Sequence, residues 1–129
     1  MLREMLRAKV HRATVTETKV DYEGSLTLDA ALMKAAGMIP YERIDVYNAD
    51  SGTRFSTYLI EGEPGSGVVC VNGAAAHLAR PGERIIVAAY AAFSPEEIAT
   101  HHPTVVLVDS ANHVKEIRRD IVAGTEVTA

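Results

Sequence analysis

The chain has 129 residues, 47% of them hydrophobic, with one cysteine and a formal charge of −4. That is one globular domain with enough core to stand without staples; a lone Cys70 excludes an intrachain disulfide and fits a reducing, cytoplasmic setting. The acidic balance argues against nucleic acid as a partner. The longest uncharged apolar stretch, Ile85 to Phe93, is far short of the roughly 20 residues of a membrane helix, and Met1 to Arg7 has no apolar signal core.

From Ala8 to Thr16, β-branched residues in rough alternation predict a strand with Lys9 and His11 on one face and Val10 on the other. On the residues alone that polar pair is a solvated face or part of a site. A polar loop, Glu17 to Gly24, leads to a short strand at Ser25 to Leu28. Asp29 to Ala36 is a helix, with Asp29 capping its first turn, Gly37 ending it, and Ala30, Met33 and Gly37 toward the core. Ile44 to Tyr47 and Arg54 to Ile60 form a hairpin around Asn48-Ala49-Asp50-Ser51-Gly52. In its second strand Arg54, Ser56 and Tyr58 share one face, and Phe55, Thr57 and Leu59 the other. Arg54 beside Tyr58 is either an anion clamp next to a proton donor or a cation stacked on a surface ring. Glu63-Pro64-Gly65-Ser66-Gly67 reads as a flexible loop.

Val68 to Val71 is an unbroken apolar run, hence a strand buried on both faces, with Cys70 as a small buried hydrophobe. It feeds Asn72-Gly73-Ala74-Ala75-Ala76-His77-Leu78, read as a cap and a short helix whose first N–H groups favour an anion, or as alanines packed tightly on a barrel. After the turn Arg80-Pro81-Gly82 comes a strand, Ile85 to Ala92. Ser94-Pro95-Glu96-Glu97 has the form of a capping box opening a helix to about Thr100. His101 and His102 follow as partners of that helix's dipole, because no second cluster has the spacing of metal ligands. Thr104 to Asp109 is a buried strand, Asn112 and His113 turn the chain into Val114 to Ile117, and residues 118–129 are expected to be a loose tail. The sum is a mostly-β fold, a small barrel with short helices plugging its ends.

The bond between Gly24 and Ser25, where loop enters strand, carries chemistry of its own. A serine hydroxyl sits beside the carbonyl of the preceding residue; attack converts amide to ester, and elimination across Cα–Cβ breaks the chain, leaving dehydroalanine that hydrolyses to a pyruvoyl cap. A planar amide resists this unless strained, and glycine supplies an unhindered carbonyl. The dipeptide alone is a common turn pair, and Gly65-Ser66 repeats it.

Met5-Leu6-Arg7-Ala8-Lys9-Val10-His11-Arg12-Ala13-Thr14-Val15-Thr16, Tyr22-Glu23-Gly24-Ser25, Arg54-Phe55-Ser56-Thr57-Tyr58, Gly65-Ser66-Gly67 and Asn72-Gly73-Ala74-Ala75-Ala76 together, in order and spacing up to about Ile117, resemble the bacterial aspartate 1-decarboxylase family. The resemblance implies a double-psi β-barrel in one domain, self-cleaved between residues 24 and 25 into chains 1–24 and 25–129. It implies a homotetramer with active sites between subunits and a covalent pyruvoyl group made from Ser25, with no metal. The activity implied is decarboxylation of L-aspartate at the α-carboxylate to β-alanine and carbon dioxide, through a Schiff base, for pantothenate and coenzyme A synthesis. Ser25, Tyr58 and Lys9 would then be catalytic, and Gly24, Ser25 and Thr57 would serve processing. Arg54, Thr57, Asn72, Gly73, Ala74 and Ala75 would bind substrate, with His11 and Tyr22 in support. Thr57 faces away from Tyr58 on a regular strand, so its implied role calls for a bulge or an intersubunit site. The alternatives are an uncleaved barrel acting as a non-catalytic binding module, or a proenzyme awaiting a maturation factor.

Overall fold

Among the described residues there are nine strands, most of them following the alternation of branched apolar and polar residues, and three short helices. The computed structural model describes residues 1–127 of the 129; residues 128 and 129 of the expected tail lie outside the described residues. The order is β1 (Arg3–Thr14), β2 (Glu17–Lys19), β3 (Ser25–Asp29), α1 (Ala30–Ala36), β4 (Arg43–Asn48), β5 (Arg54–Gly62), β6 (Val69–Asn72), a 3-10 helix (Gly73–Leu78), β7 (Arg84–Phe93), α2 (Pro95–Ala99), β8 (Thr104–Val108) and β9 (Val114–Arg118).

The strands form one sheet in the order β2-β6-β3-β5-β4-β7-β1-β8-β9. The chain leaving β1 closes it into a barrel. Val15 exchanges backbone hydrogen bonds with Gly82 and Glu83, in the turn just before β7, each 2.8 Å, while the next residue, Thr16, donates to the Val69 carbonyl of β6 at 2.8 Å. One continuous segment, β1 running into β2, therefore borders β7 on one side and β6 on the other, with β8 and β9 added outside. The segment turns at a bulge between Val10 and Ala13, where Arg12 takes φ +63°. Val10, Leu26, Leu28, Val46, Leu59, Val69, Val71 and Val87 fill the interior, each contributing on the order of 2 kcal/mol by leaving water.

The mostly-β barrel with short helices expected from the sequence is what the structure shows, and local details differ. Strand β2 lies inside the stretch read as loop; three residues without an apolar alternation give no strand signal, and parallel pairing with Cys70 to Asn72 holds them. The segment after Asn72 is a 3-10 helix, and Asn72 makes no capping bond with its side chain. In α1 the buried residues are Leu32, Met33 and Ala36. His101 bonds the Leu6 carbonyl at 2.8 Å and lies 4.3 Å from the Phe93 ring, a tertiary contact that replaces the expected dipole partnership.

The 63–67 loop is tethered, not flexible. The Asp29 carboxylate, 1% exposed, caps α1 through Ala31 N–H and also accepts from Gly65 N–H at 2.9 Å and Gly67 N–H at 2.8 Å. On the other side Asn112 donates to the carbonyls of Gly67 and Thr14, both 2.8 Å. Burial alone would raise the pKa of Asp29, but the three backbone donors, Gly67 foremost, outweigh it and hold it below the ordinary 3.8. A depressed carboxylate contributes stability that is complete above its unfolded pKa and is lost as pH falls through the lower folded value. Asp29→Ala should cost about 2–4 kcal/mol in urea unfolding at pH 7, with the gap to the parent narrowing below pH 4; a constant gap would mean that the carboxylate's charge contributes nothing.

Candidate active site

Ser25 opens β3 in a conformation that side chains rarely adopt, φ +92°, and is 3% exposed. Its neighbours leave it little choice. Leu26 and Leu28, both fully buried, fix the strand that follows it, and the antiparallel register sets Ser25 directly opposite Asn72 of β6. The Ser25 hydroxyl turns back and donates to the carbonyl oxygen of Gly24, across the bond singled out in the sequence.

Gly24 is hemmed in by residues distant in sequence. A Cβ there would run into the Tyr58 hydroxyl, so any other residue would displace that phenol. On the opposite side Gly73, at φ +63°, brings backbone against backbone: a Cβ on it would stand 3.4 Å from the Gly24 Cα and 3.5 Å from the Tyr22 carbonyl oxygen. Gly24, Ser25, Tyr58, Asn72 and Gly73 are thus brought together by β3, β5 and β6. Ala74 lies exposed on the 3-10 helix, while Ala75 packs on the core. Tyr22 is 60% exposed, with the Lys19 ammonium 5.6 Å from its ring centroid. The pairing of β5 with β4 is unbroken from Tyr58↔Arg43 to Arg54↔Tyr47, which rules out a bulge; Thr57 faces the opposite side from Tyr58, half-buried and paired with Ile44.

The expected cations stand elsewhere in the same chain. Arg54 is four residues from Tyr58, about 13 Å along the strand, and its guanidinium lies 4.5 Å above the Tyr47 ring. The Tyr47 hydroxyl meets that of Tyr90 at 2.8 Å, and this bond, with burial, raises the Tyr47 pKa to about 12. Among the described residues Arg54 forms no ion pair, so its fork remains open to a carboxylate. Lys9 and His11 lie on β1 beside β8 and border a cavity of about 110 Å³ shared with Arg118, Ile121 and Val127. Val127 is fastened by its carbonyl to the Arg12 guanidinium at 3.1 Å. Burial, then the charges of Lys9 and Arg12, push the His11 pKa down to about 4; burial likewise lowers that of Lys9. His11 Nδ1 is buried without a hydrogen-bond partner among the described residues.

Three neighbours escaped the sequence reading. Tyr47 follows from hairpin register, being the cross-strand partner of Arg54. Thr27 and Cys70 bond the Asn72 side chain; each stands two residues from a site residue on the same strand face, a spacing visible in the sequence.

A model of the aspartate decarboxylase family matches residues 1–115. The chain is 53% identical over 116 residues to the aspartate 1-decarboxylase of Legionella pneumophila strain Lens, covering 90% of this chain and 87% of that protein. It is 55% identical over 119 residues to the enzyme of that name from Bordetella avium, covering 92% and 98%. With the Dehalococcoides mccartyi enzyme it shares 45% over 117 residues, covering 91% and 94%.

The electrostatics of β1 yield a direct check. His11 should remain neutral down to about pH 4 in the folded protein, so its stabilising contribution is complete above the unfolded value near 6.5 and is lost as pH falls toward 4. Lys9→Gln removes a neighbouring positive charge and should raise the His11 midpoint, read from its ring resonances by NMR. An unmoved midpoint would show that Lys9 plays no part and that burial and Arg12 set it.

Proposed function

The chain belongs to the aspartate decarboxylase family, and from that premise we propose that it removes the α-carboxylate of L-aspartate with a pyruvoyl group that it makes from its own Ser25. The observation that carries this reading is the Ser25 hydroxyl set against the Gly24 carbonyl by a backbone at φ +92°. Attack by that oxygen on the Gly24 carbonyl carbon moves the acyl group from nitrogen to oxygen. Loss of the Ser25 Cα proton then expels the Gly24 carboxylate and leaves dehydroalanine, which takes up water and releases ammonia. A Cβ on Gly24 would run into the Tyr58 hydroxyl; glycine leaves its carbonyl carbon unhindered by a side chain of its own, and the strain sits in the Ser25 backbone.

The group suits its surroundings, since it occupies a buried position that already forbids a larger residue before it. When present it supplies a ketone for the substrate amine and an adjacent amide carbonyl as electron sink, work that elsewhere falls to a separate cofactor. The protein's residues bind, orient and move protons. Tyr58, held over Gly24, is the proton donor to the carbon that loses carbon dioxide. The open fork of Arg54 grips the carboxylate that is retained, because a clamp on the departing one would stabilise ground state over transition state. Lys9 adds a second cation, and Asn72, Gly73, Ala74 and Ala75 line the substrate's other side, with Thr57, His11 and Tyr22 in support. The product, β-alanine, feeds pantothenate synthesis.

Arg54, Lys9 and His11 stand apart from Gly24 in a single chain, and His11 Nδ1 has no partner among the described residues. This separation supports a homotetramer whose sites lie between subunits, one copy bringing cations to the Ser25 of the next.

An intact mass spectrum under denaturing conditions should give two species, residues 1–24 and residues 25–129, the second one ammonia lighter than hydrolysis alone would leave it. Ser25→Ala should give one uncut chain without activity on aspartate. A single uncut mass for the parent, persisting after prolonged warming, would sink the reading and favour a binding barrel or a proenzyme awaiting its maturation factor. Refolding Ser25→Ala together with Lys9→Ala should restore part of the decarboxylation that each lacks alone. No recovery, despite mixed tetramers by native mass spectrometry, would place each site within one chain.

A further inference from the structure

Strand parity sets four polar side chains on one face of the β3–β6 pair: Ser25 and Thr27 on one strand, Cys70 and Asn72 on the other. The opposite face, Leu26, Leu28, Val69 and Val71, is wholly apolar and fully buried. The register couples Ser25 with Asn72 and Thr27 with Cys70 as directly opposed pairs, whose Cβ atoms stand about 4.5–5.5 Å apart in such ladders.

These side chains form a directed series of hydrogen bonds. The Cys70 thiol donates to Asn72 Oδ1 at 3.0 Å, and Asn72 Nδ2 donates to Thr27 Oγ1 at 3.0 Å. The carboxamide stands with its oxygen toward Cys70 and its nitrogen toward Thr27. A flipped amide would have to donate from its NH2 to the thiol sulfur, a weak acceptor, while its oxygen accepted from the Thr27 hydroxyl. Burial keeps the thiol protonated, with Glu17 acting in the same sense and Lys19 against it. An amide nitrogen has two hydrogens, and only one is taken by Thr27.

We propose that Cys70 and Thr27 are positioning residues for the chemistry at Ser25, holding the Asn72 carboxamide in one flip so that its second N–H is kept for an oxygen of residues 24 and 25. The inference rests on the reading of Gly24–Ser25 as the processed bond. Neither Cys70 nor Thr27 touches the reacting atoms; both act through Asn72. Between Val69 and Val71, an apolar residue at position 70 would pack at least as well and leave no weak donor to satisfy, so packing alone does not account for the thiol.

Two pairs of variants separate positioning from packing. Cys70→Ser keeps the donor, whereas Cys70→Val keeps the bulk and suits a buried strand without donating. Thr27→Ser and Thr27→Val make the same comparison at the acceptor. Cleavage is followed by intact mass on freshly purified chain, and decarboxylation with L-aspartate once cleavage is complete; melting temperature is recorded for each. The serine variants should stay within about threefold of the parent in both rates. The valine variants should melt as high as the serine variants or higher, yet lose roughly tenfold in cleavage rate or kcat, the range of one hydrogen bond at a reacting centre, with KM nearly unchanged. Valine variants that match the parent in both rates would overturn the proposal, as would serine variants that lose as much as valine. A parent chain that neither cleaves nor decarboxylates would instead remove the reading beneath it, and the proposal with it.

Discussion

A serine at φ +92° inside a barrel wall is the constraint on which the rest of the site depends. A side chain in that region of backbone space costs on the order of 1–3 kcal/mol and persists only when its surroundings over-determine it. Here the surroundings do so from every direction. Leu26 and Leu28 anchor the strand ahead, the ladder to Asn72 fixes it laterally, and Gly24 behind is confined between the Tyr58 hydroxyl and the backbone of Gly73. Relaxing the serine would mean pulling two leucines from the core or breaking a four-residue ladder. Strain at this bond is therefore retained by packing that is itself favourable, which is how a small fold can keep an amide away from its resting geometry.

The charged groups follow a different logic. The bulge that bends β1 at Arg12 crowds Lys9, His11 and Arg12 on one short stretch, so that burial and mutual repulsion together discharge the histidine. Arg54 escapes such crowding by standing over the Tyr47 ring, whose face holds the cation without consuming its hydrogen-bonding fork. Each device keeps a binding group available: one keeps an imidazole neutral, the other keeps a guanidinium without an ion-pair partner among the described residues. Neither is aimed at Gly24 in the same chain, which makes assembly part of the proposed chemistry.

Much of this was legible in the sequence because the signals were local. Asp29 and Gly37 bracket α1 as cap and stop, and Ser94 with Glu97 forms the capping box its spacing predicts. Of the apolar run Val68 to Val71, Val69 to Val71 are buried within β6 while Val68 is half-buried, and alternation along β5 placed Arg54 and Tyr58 on one face and Thr57 on the other. What could not be read depends on contacts between segments. Asn72 has the composition of a helix cap, but a thiol and a hydroxyl bid for its side chain from the strand face. Gly65 and Gly67 look like a flexible link until Asp29, some 36 residues earlier, is found holding both of their N–H groups. Strand β2 exists because β6 offers it an edge, not because Glu17, Thr18 and Lys19 prefer to be extended.

The continuous run of β1 into β2 has a consequence for how the molecule comes apart. Both strands precede residue 24, so the short piece released by the proposed cut would contain the very segment that borders β7 and β6 and closes the wall. An intact chain folds by a unimolecular search. A cut one, once opened, has to find its complement by collision, at a rate that falls with dilution. Cleavage would thus change the order of the folding reaction without moving an atom of the core. The mature protein would owe its persistence to slow opening instead of an equilibrium that restores it.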